Sequence, residues 1–336
     1  MTTADLERFR ALLMEREELL NDYVSRLGNA PSAEMDKVRG LLADIRAAFH
    51  RIEDHSFGTC QVCKDEVEYD RLEVQPVRQI CLGCISEAER SALEDELTIA
   101  SRIHRALLPQ QVEKIEGYEI GVKSLAAQSV GGDYYDFLSS PSGGMKVVVA
   151  DSMGKGIPAG LLMSNLQGAL RVLAPDISLP GALLGKLNWW LCRNVPVSKF
   201  ISLICIDLAP SSSPASTSVR YASAGHPPAI LARADGSCTT LHPTGGVLGV
   251  HEQFDYEDQP VQIDPGDLLL LYTDGVTEAE NDRGDMFGEE RLAAFCREQR
   301  TQPVGTIIER LLESVRAFSG RDTLEDDLTV IAIRKR

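Results

Sequence analysis

Hydrophobic residues near the start of the chain recur with the spacing of two amphipathic helices. In the first, leucines repeat every seven residues, at Leu6, Leu13, Leu20 and Leu27. Phe9 and Tyr23 add a second position to this seam. The second seam alternates spacings of three and four, through Met35, Val38, Leu42, Ile45, Phe49 and Ile52. Residues 28–31 separate the seams, which predicts an antiparallel helical hairpin; a coiled coil that only dimerises the chain is the alternative.

A third helical pattern covers residues 91–108 and ends at Pro109. Its apolar face consists of Leu93, Leu97, Ala100, Ile103 and Leu107. We predict a linker helix at residues 91–109 between two domains. It would act as a rigid coupling rod or as the seam of a homodimer, and an ordinary packing helix of the following domain is the alternative.

From residue 118 onward the pattern changes to short apolar runs bounded by turn residues. Strands are predicted at residues 118–125, 146–150, 201–207, 219–223, 229–233, 267–272 and 328–333. Helices are predicted near residues 158–173, 179–193, 287–299 and 303–318, and a flexible loop at 210–218. Because strands and helices occur in separate groups, the fold class is α+β, a layered sandwich and not a doubly wound sheet.

The length and the net charge of the chain indicate how many domains it has and which partners its charge disfavours. At 336 residues the chain exceeds one ordinary domain, which favours two units. Its net charge of -16 argues against nucleic-acid partners and anionic membranes. No apolar run approaches the ~18 residues of a membrane span, and the N-terminal residues lack a signal-peptide core. We therefore expect a cytoplasmic protein.

Four of the eight cysteines form two CxxC pairs, Cys60 with Cys63 and Cys81 with Cys84. Four thiolates close a tetrahedral site and leave no position for a reacting water, so the pairs predict one structural Zn²⁺. His55 is nearby but is expected to be a surface residue. The other cysteines have no evident base partner and are expected to be small core residues: Cys192, Cys205, Cys238 and Cys296.

Acidic residues lie beside glycine or at strand ends in four places along the second half of the chain. They are Asp133, Asp151, Asp274 and the pair Asp326 and Asp327. Such carboxylates converge at one rim of a sheet and would repel one another without cations. Oxygen-only ligands favour Mg²⁺ or Mn²⁺. Taken singly, each Asp-Gly pair could instead be an ordinary turn.

Residues 42–90 resemble the DksA/TraR zinc-finger family through the segments RIEDHSFGTCQVC, RLEVQP and ICLGC. This resemblance implies that residues 1–90 form a helical hairpin packed on a four-cysteine zinc knuckle. Members of that family act on RNA polymerase through a longer hairpin with acidic residues at its tip. Here the breaker reads LGNAPSA, without an acidic residue.

Residues 94–336 resemble the SpoIIE/RsbU-like branch of the metal-dependent PPM (type 2C) serine/threonine phosphatases. The matching segments are VGGDYYDF, VVADSMGKGIPAGLL, YASAGHPPAIL, TGGVLGV, LLYTDGVTEA and EDDLTVIAI. The resemblance implies an αββα sandwich at residues 110–336 with two Mn²⁺ or Mg²⁺ ions. Asp151 would bridge both ions. Asp133 and the main-chain carbonyl of Ser152 would serve one ion, and Asp274 and Asp326 the other.

Three further positions follow from the same resemblance. Asp327 stands where type 2C enzymes usually have Asn, so it ranks below Asp326 as a ligand. Met153 and Gly154 stand where eukaryotic relatives have a histidine, so no histidine general acid is expected. Lys155 would attract the phosphate or remain a solvated surface lysine, and His226 is expected to be structural.

The resemblance implies a phosphatase that uses two metal ions to activate water. Its substrate would be a phosphorylated anti-sigma-factor antagonist of the STAS type, and the N-terminal zinc module would regulate the enzyme. The alternative is a transcription-accessory protein that binds RNA polymerase through the zinc hairpin, with the phosphatase fold as a scaffold.

Overall fold

The computed structural model describes residues 2–27, 33–196, 198–210, 217–321 and 323–336. The chain divides into two compact units, Met1–Asp95 and Glu96–Arg336. The predicted breaker at 28–31, and most of the predicted loop at 210–218, lie outside the described residues. None of the helices in the described part of the chain combines the length and the apolarity needed to cross a bilayer.

The first unit is built on the two predicted N-terminal helices, α1 (Thr3–Leu27) and α2 (Ala33–Glu53). Phe9 and Leu13 of the α1 seam are fully buried, and Phe9 lies 5.3 Å from Phe57, ring centre to ring centre. The same core includes Ile45, Ala48 and Ile52 of α2 and reaches the cysteine-bearing loops. A short helix α3 (Tyr69–Val74) and a 3₁₀ turn (Leu82–Cys84) follow, and then α4 (Glu87–Leu107) begins.

The second unit contains the predicted strands and helices in the predicted order, together with three strands and one helix that were not predicted. The strands are β1 (Tyr118–Leu125), β2 (Asp133–Ser139), β3 (Met145–Ser152), β4 (Ile201–Leu208), β5 (Thr217–Ala224), β6 (Ala229–Ala232), β7 (Cys238–Leu241), β8 (Gln259–Ile263), β9 (Leu268–Tyr272) and β10 (Leu328–Lys335). The helices are α5 (Ile157–Leu173), α6 (Pro180–Asn194), α7 (Asp274–Thr277), α8 (Gly288–Gln299) and α9 (Val304–Ser319). Strands β2, β7 and β8 and helix α7 were not predicted.

The strands form two five-stranded antiparallel sheets, with the orders β1-β10-β9-β6-β7 and β2-β3-β4-β5-β8. Successive residues of β3 point to opposite faces of its sheet, as the strand geometry requires. Val147 and Val149 face a core between the two sheets, whereas Val148 and Ala150 face α5 and α6. Because both faces are buried, this strand reads as a continuous apolar run.

The other sheet is covered on its outer face by α8 and α9, with a third core made of residues such as Leu270, Ile307 and Leu311. Helices therefore lie outside both sheets, and the two sheets pack on each other. The predicted α+β fold, an αββα sandwich, is confirmed.

Candidate functional site

The predicted carboxylates come together at one end of the two sheets. Asp133 is the first residue of β2 and lies directly opposite Asp151 of β3. Asp274 follows β9 and begins α7, and Asp326 comes just before β10. Hydrogen bonds join the two sheets here, because the Asp133 Oδ2 atom accepts from the hydroxyls of Thr273 at 2.8 Å and Thr329 at 2.6 Å.

Asp133 is buried and held in one orientation by these two hydroxyls. Burial raises its pKa well above the ordinary value, and the neighbouring charge of Asp151 adds to the shift. Carboxylates directly opposite each other on paired strands destabilise the sheet unless a proton or a cation lies between them. The pair is therefore suited to holding a cation.

Asp151 lies at the centre of the acidic group. Burial raises its pKa to about 7, and the carboxylates of Asp274 and Asp326 contribute further. Burial likewise raises the pKa of Asp274 to about 6, and the negative charge of Glu278 makes the next largest contribution to this rise. Glu278 was not predicted; its signal in the sequence is its position four residues after Asp274, where a helical turn returns it to the same side.

The acidic group should make the stability of the metal-free protein depend on pH. Since the pKa of Asp151 is about 7 in the fold and 3.8 ordinarily, the folded protein binds more protons between these values. Stability should therefore fall as the pH rises through this window. In EDTA, Asp151→Asn should stabilise the protein at pH 8 by up to about 4 kcal/mol, because the pKa of Asp151 rises from 3.8 to about 7. Thermal unfolding at pH 5 and pH 8 measures this. Equal pH dependence in the variant and the parent would contradict it.

Glycine is required at two points beside the acidic group, just before β2 and in the turn after β3. A Cβ atom at Gly132 would lie 2.9 Å from the main-chain oxygen of Ser152, so only glycine allows this contact. The Ser152 hydroxyl donates to the carbonyls of Gly132 and Ala159, both at 3.0 Å. Gly154 has a φ of +107°, which a side chain would strain. The Ser152 carbonyl is thus held in place beside the carboxylates.

Asp326 and Asp327 are adjacent but have different surroundings. Asp326 is 44% exposed, and its Oδ2 atom lies 2.9 Å from the Lys155 amino group. Asp327 is buried, and its two oxygens accept from the main-chain N–H groups of Ala127 at 2.7 Å and Gly132 at 2.5 Å. Asp326 thus faces the acidic group, whereas Asp327 holds the loop that leads into β2.

Lys155 also donates to the main-chain carbonyl of Glu325 at 2.6 Å. Its side chain is 46% exposed, so Lys155 is a surface lysine that is paired with the acidic group through Asp326. His226 is fully buried and its Nδ1 atom lies 2.8 Å from the hydroxyl of Ser202, which pairs with Asp151 across β3 and β4. Burial lowers the pKa of His226 to about 3, so the imidazole is neutral.

The donor set fits a hard cation because it consists of carboxylate and carbonyl oxygens with excess negative charge. Among the described residues, no three of these carboxylates have ligand atoms that all lie within 4.8 Å of one another. In the part of the chain that the structure describes, such a close group of potential ligands is formed by the four cysteines, whose sulfur atoms all lie within 4.8 Å of one another.

The second candidate metal site consists of these cysteines in the first unit. The Cys81 main-chain N–H donates to the Cys60 sulfur at 3.4 Å, and the sulfurs of Cys63 and Cys81 are 3.5 Å apart. Hydrogen bonds from the main chain, first from Cys81 and then from Cys63, lower the pKa of Cys60 to about 6. This favours the thiolate of Cys60, and the thiolate is the form in which cysteine binds zinc. His55 is exposed and lies outside the cysteine group, as predicted.

Comparison with known families identifies both units. Residues 141–336 match the family described as Stage II sporulation protein E (SpoIIE). The chain belongs to this family. Residues 55–90 match the prokaryotic dksA/traR C4-type zinc finger. Both resemblances predicted from the sequence motifs are confirmed. The match to SpoIIE also confirms the assignment to the PPM-type serine/threonine phosphatases.

Individual relatives agree with this division of the chain. Phosphoserine phosphatase RsbU of Bacillus subtilis is 29% identical over 245 residues, which cover 73% of this chain and 71% of RsbU. The match to phosphoserine phosphatase RsbP of the same organism covers 57% of RsbP. The RNA polymerase-binding transcription factor DksA of Escherichia coli is 35% identical over an alignment of 112 positions, which covers 26% of this chain and 74% of DksA.

Solved structures show the same fold. The SiaA-PP2C domain of Pseudomonas aeruginosa has a TM-score of 0.64 at 22% identity, and covers 75% of this chain and 100% of that domain. The RsbU and RsbW domains of a Mycobacterium tuberculosis protein have a TM-score of 0.55 at 27% identity, with 66% of this chain and 61% of that chain covered.

Proposed function

We propose that the protein is a Mn²⁺- or Mg²⁺-dependent phosphatase that removes phosphate from serine or threonine of a small regulatory protein. The observation that carries this proposal is the acidic group around Asp151. Among the described residues, the predicted ligands of this group make one ion pair with a basic side chain, between Asp326 and Lys155. RsbU and RsbP are phosphoserine phosphatases, and this supports phosphoserine as the target.

The ligands that we propose follow from the geometry of the donors. Asp151 is central and would contact both ions, with Asp133 and the Ser152 carbonyl on one side. We assign Asp274 and Asp326 to the other ion. We assign Asp327 a structural role, because its carboxylate fixes the loop before β2 through the main-chain N–H groups of Ala127 and Gly132.

Two bound ions would supply Lewis-acid activation of water and would offset charge during an in-line displacement. The residues of the chain hold the donors in place before substrate arrives. Thr273 and Thr329 orient Asp133, and Ser152 is fixed by its own hydroxyl. Such preorganisation avoids rearrangement of the site during the reaction.

We propose that the substrate is a phosphorylated anti-sigma-factor antagonist of the STAS type in the cytoplasm, and that the zinc module regulates the enzyme. Regulation is supported by the C-terminal part of α4, which packs inside the second unit. His104 of this helix is buried, and a cavity of about 250 Å³ lies between it and residues that include Gly131, Asp133 and Asp327. A shift or rotation of α4, including one caused by dimerisation, would move the loop before β2.

The proposal predicts hydrolysis that depends on metal ions. The protein should hydrolyse para-nitrophenyl phosphate and a serine-phosphorylated STAS protein in Mn²⁺ or Mg²⁺, and lose at least about 100-fold in rate in EDTA. Readdition of Mn²⁺ should restore the rate. Absence of metal-dependent hydrolysis of both substrates would overturn the proposal.

The similarity to DksA supports a second candidate, binding of RNA polymerase through the zinc hairpin. The tip that would decide this lies among residues 28–32, outside the described part of the chain. Salt-resistant co-purification with RNA polymerase, together with no metal-dependent hydrolysis, would favour this candidate over the phosphatase.

A further inference from the structure

Large apolar side chains are exposed on one side of the candidate active site. They are between 36% and 46% exposed and belong to the second unit: Met153, Trp189, Phe200, Val250 and Phe254. We call this set the lateral patch. Isolated exposed apolar residues are common on protein surfaces. The lateral patch differs because hydrogen-bonded segments connect its members to one another and to the turn that follows Asp151.

The first connection joins the turn to the start of β4. The main-chain N–H of Met153 donates to the carbonyl of Phe200 at 3.0 Å. Next to it, Ile201 and Leu248 exchange two main-chain hydrogen bonds of 3.0 and 2.9 Å. These bonds place Gly249, the residue before Val250, beside Phe200, because a Cβ atom at Gly249 would lie 3.9 Å from the Phe200 Cα atom.

The second connection joins α6 to the same loop. The side chain of Asn188 is buried; it donates to the carbonyl of His251 at 2.8 Å and accepts from the N–H of Gly249 at 3.0 Å. The neighbouring Trp189 therefore lies beside this loop. The ring of His251 lies 5.4 Å from that of Phe254. The patch is thus supported by buried polar contacts and is formed before any partner binds.

Positive charge accompanies the patch in a chain of net charge -16. A Cβ atom at Gly154 would lie 3.5 Å from the Lys199 Nζ atom, so this amino group overhangs the glycine turn. Lys186 lies 5.9 Å from the Trp189 ring centre. Neither lysine has an ion-pair partner within 4.0 Å among the described residues. Glu252 in the same loop is paired with Arg193, whose guanidinium lies 4.3 Å from the Trp189 ring centre. Lys199 and Lys186 are therefore the basic side chains of the patch that can attract an acidic partner.

We propose that the lateral patch, with Lys199, docks the phosphoprotein substrate. This inference rests on the proposed phosphatase function. The occupant is a protein with an apolar surface next to an acidic, phosphoserine-bearing segment. Its apolar surface covers Val250 and Trp189, and its acidic segment passes Lys199 on the way to Asp151. The patch is continuous with the candidate active site, and this continuity favours the substrate over a second copy of the chain.

Two probes separate docking from chemistry: para-nitrophenyl phosphate, and the serine-phosphorylated STAS proteins of the source organism. Val250→Asp should raise the KM for the phosphoprotein by about tenfold, with its kcat and the kinetics on the small probe within about twofold. Val172→Asp is the matched control, since Val172 is an exposed valine on α5 and lies outside the patch. It should leave both substrates unaffected.

Lys199→Glu should raise the same KM and weaken its dependence on salt, whereas Lys199→Arg should behave as the parent. Titration of the phosphoprotein into EDTA-treated protein gives a readout without turnover, and Val250→Asp should weaken that binding as well. Unchanged KM and unchanged binding in Val250→Asp and Lys199→Glu would overturn the docking surface.

Other failures are distinguishable. If the parent hydrolyses the small probe but no STAS phosphoprotein, the proposed occupant of the patch is wrong. If Val250→Asp slows the small probe in parallel with the protein, the patch acts on the catalytic centre and is not a docking surface. If the parent hydrolyses neither in Mn²⁺, the phosphatase function itself fails.

Discussion

Replacing Asp151 with Asn should lower kcat/KM for Mn²⁺-dependent hydrolysis of para-nitrophenyl phosphate by about 10³-fold or more, equivalent to about 4 kcal/mol. Asp151 lies near the end of β3, between Asp133 of β2 and Ser202 of β4. Asn has nearly the same shape, so β3 should be unchanged, but one oxygen ligand and one negative charge are lost. The fold should be retained, since the substitution removes a repulsive charge from a buried group.

A matched control is available on the neighbouring strand. Asp207 of β4 pairs with Lys146 at the other end of β3, away from the acidic group. Asp207→Asn should keep the parental rate. Isothermal titration with Mn²⁺ should show weaker binding for Asp151→Asn alone. Parental turnover in Asp151→Asn, with the fold intact by circular dichroism, would remove the two-metal assignment.

Replacing Cys60 and Cys63 together with Ser should release about one zinc ion per chain and unfold the zinc-binding part of the first unit. Structural zinc contributes about 10–16 kcal/mol to folding in small zinc modules. Cys60 and Cys81 belong to the same core as Phe57 and Phe9, so loss of the ion should also loosen the packing of α1 on α2. Elemental analysis measures the zinc, and limited proteolysis measures the unfolding.

Cys192→Ser is the control for this experiment, because Cys192 belongs to the second unit and is partly exposed. It should keep the zinc content. If the zinc module regulates the enzyme, Cys60→Ser with Cys63→Ser should also change the rate on para-nitrophenyl phosphate by about threefold or more. If the rate is unchanged both in the double cysteine variant and after deletion of residues 1–90, regulation by the zinc module is contradicted. A parent without zinc would contradict the site itself.

Most elements of the second unit were predictable because their apolar pattern is strong. β4, β9 and β10 are buried on both faces, so each is a run of apolar residues in the sequence. β2 was missed because Asp133 and Asp136 interrupt it, and both are buried only through partners elsewhere in the fold. β7 and β8 were missed because they are edge strands with several exposed residues.

The candidate site was predictable to a similar degree. Asp133, Asp151, Asp274 and Asp326 were identified from their positions beside glycine and strand ends, and the structure groups them at one end of the sheets. The sequence could not separate the roles of Asp326 and Asp327, because one residue along the chain reverses the direction of a side chain. Only the folded loop shows that Asp327 accepts the N–H groups of Ala127 and Gly132.

Taken alone, the sequence determined the two families, the four cysteines and the acidic residues, because local spacing and short-range patterns carry this information. The tertiary structure decided which side chains meet across long sequence separations. It placed Thr273 and Thr329 on Asp133, Lys155 on Asp326, and Lys199 over Gly154. Such contacts depend on the packing of one sheet and its loops against the other, which no local pattern specifies.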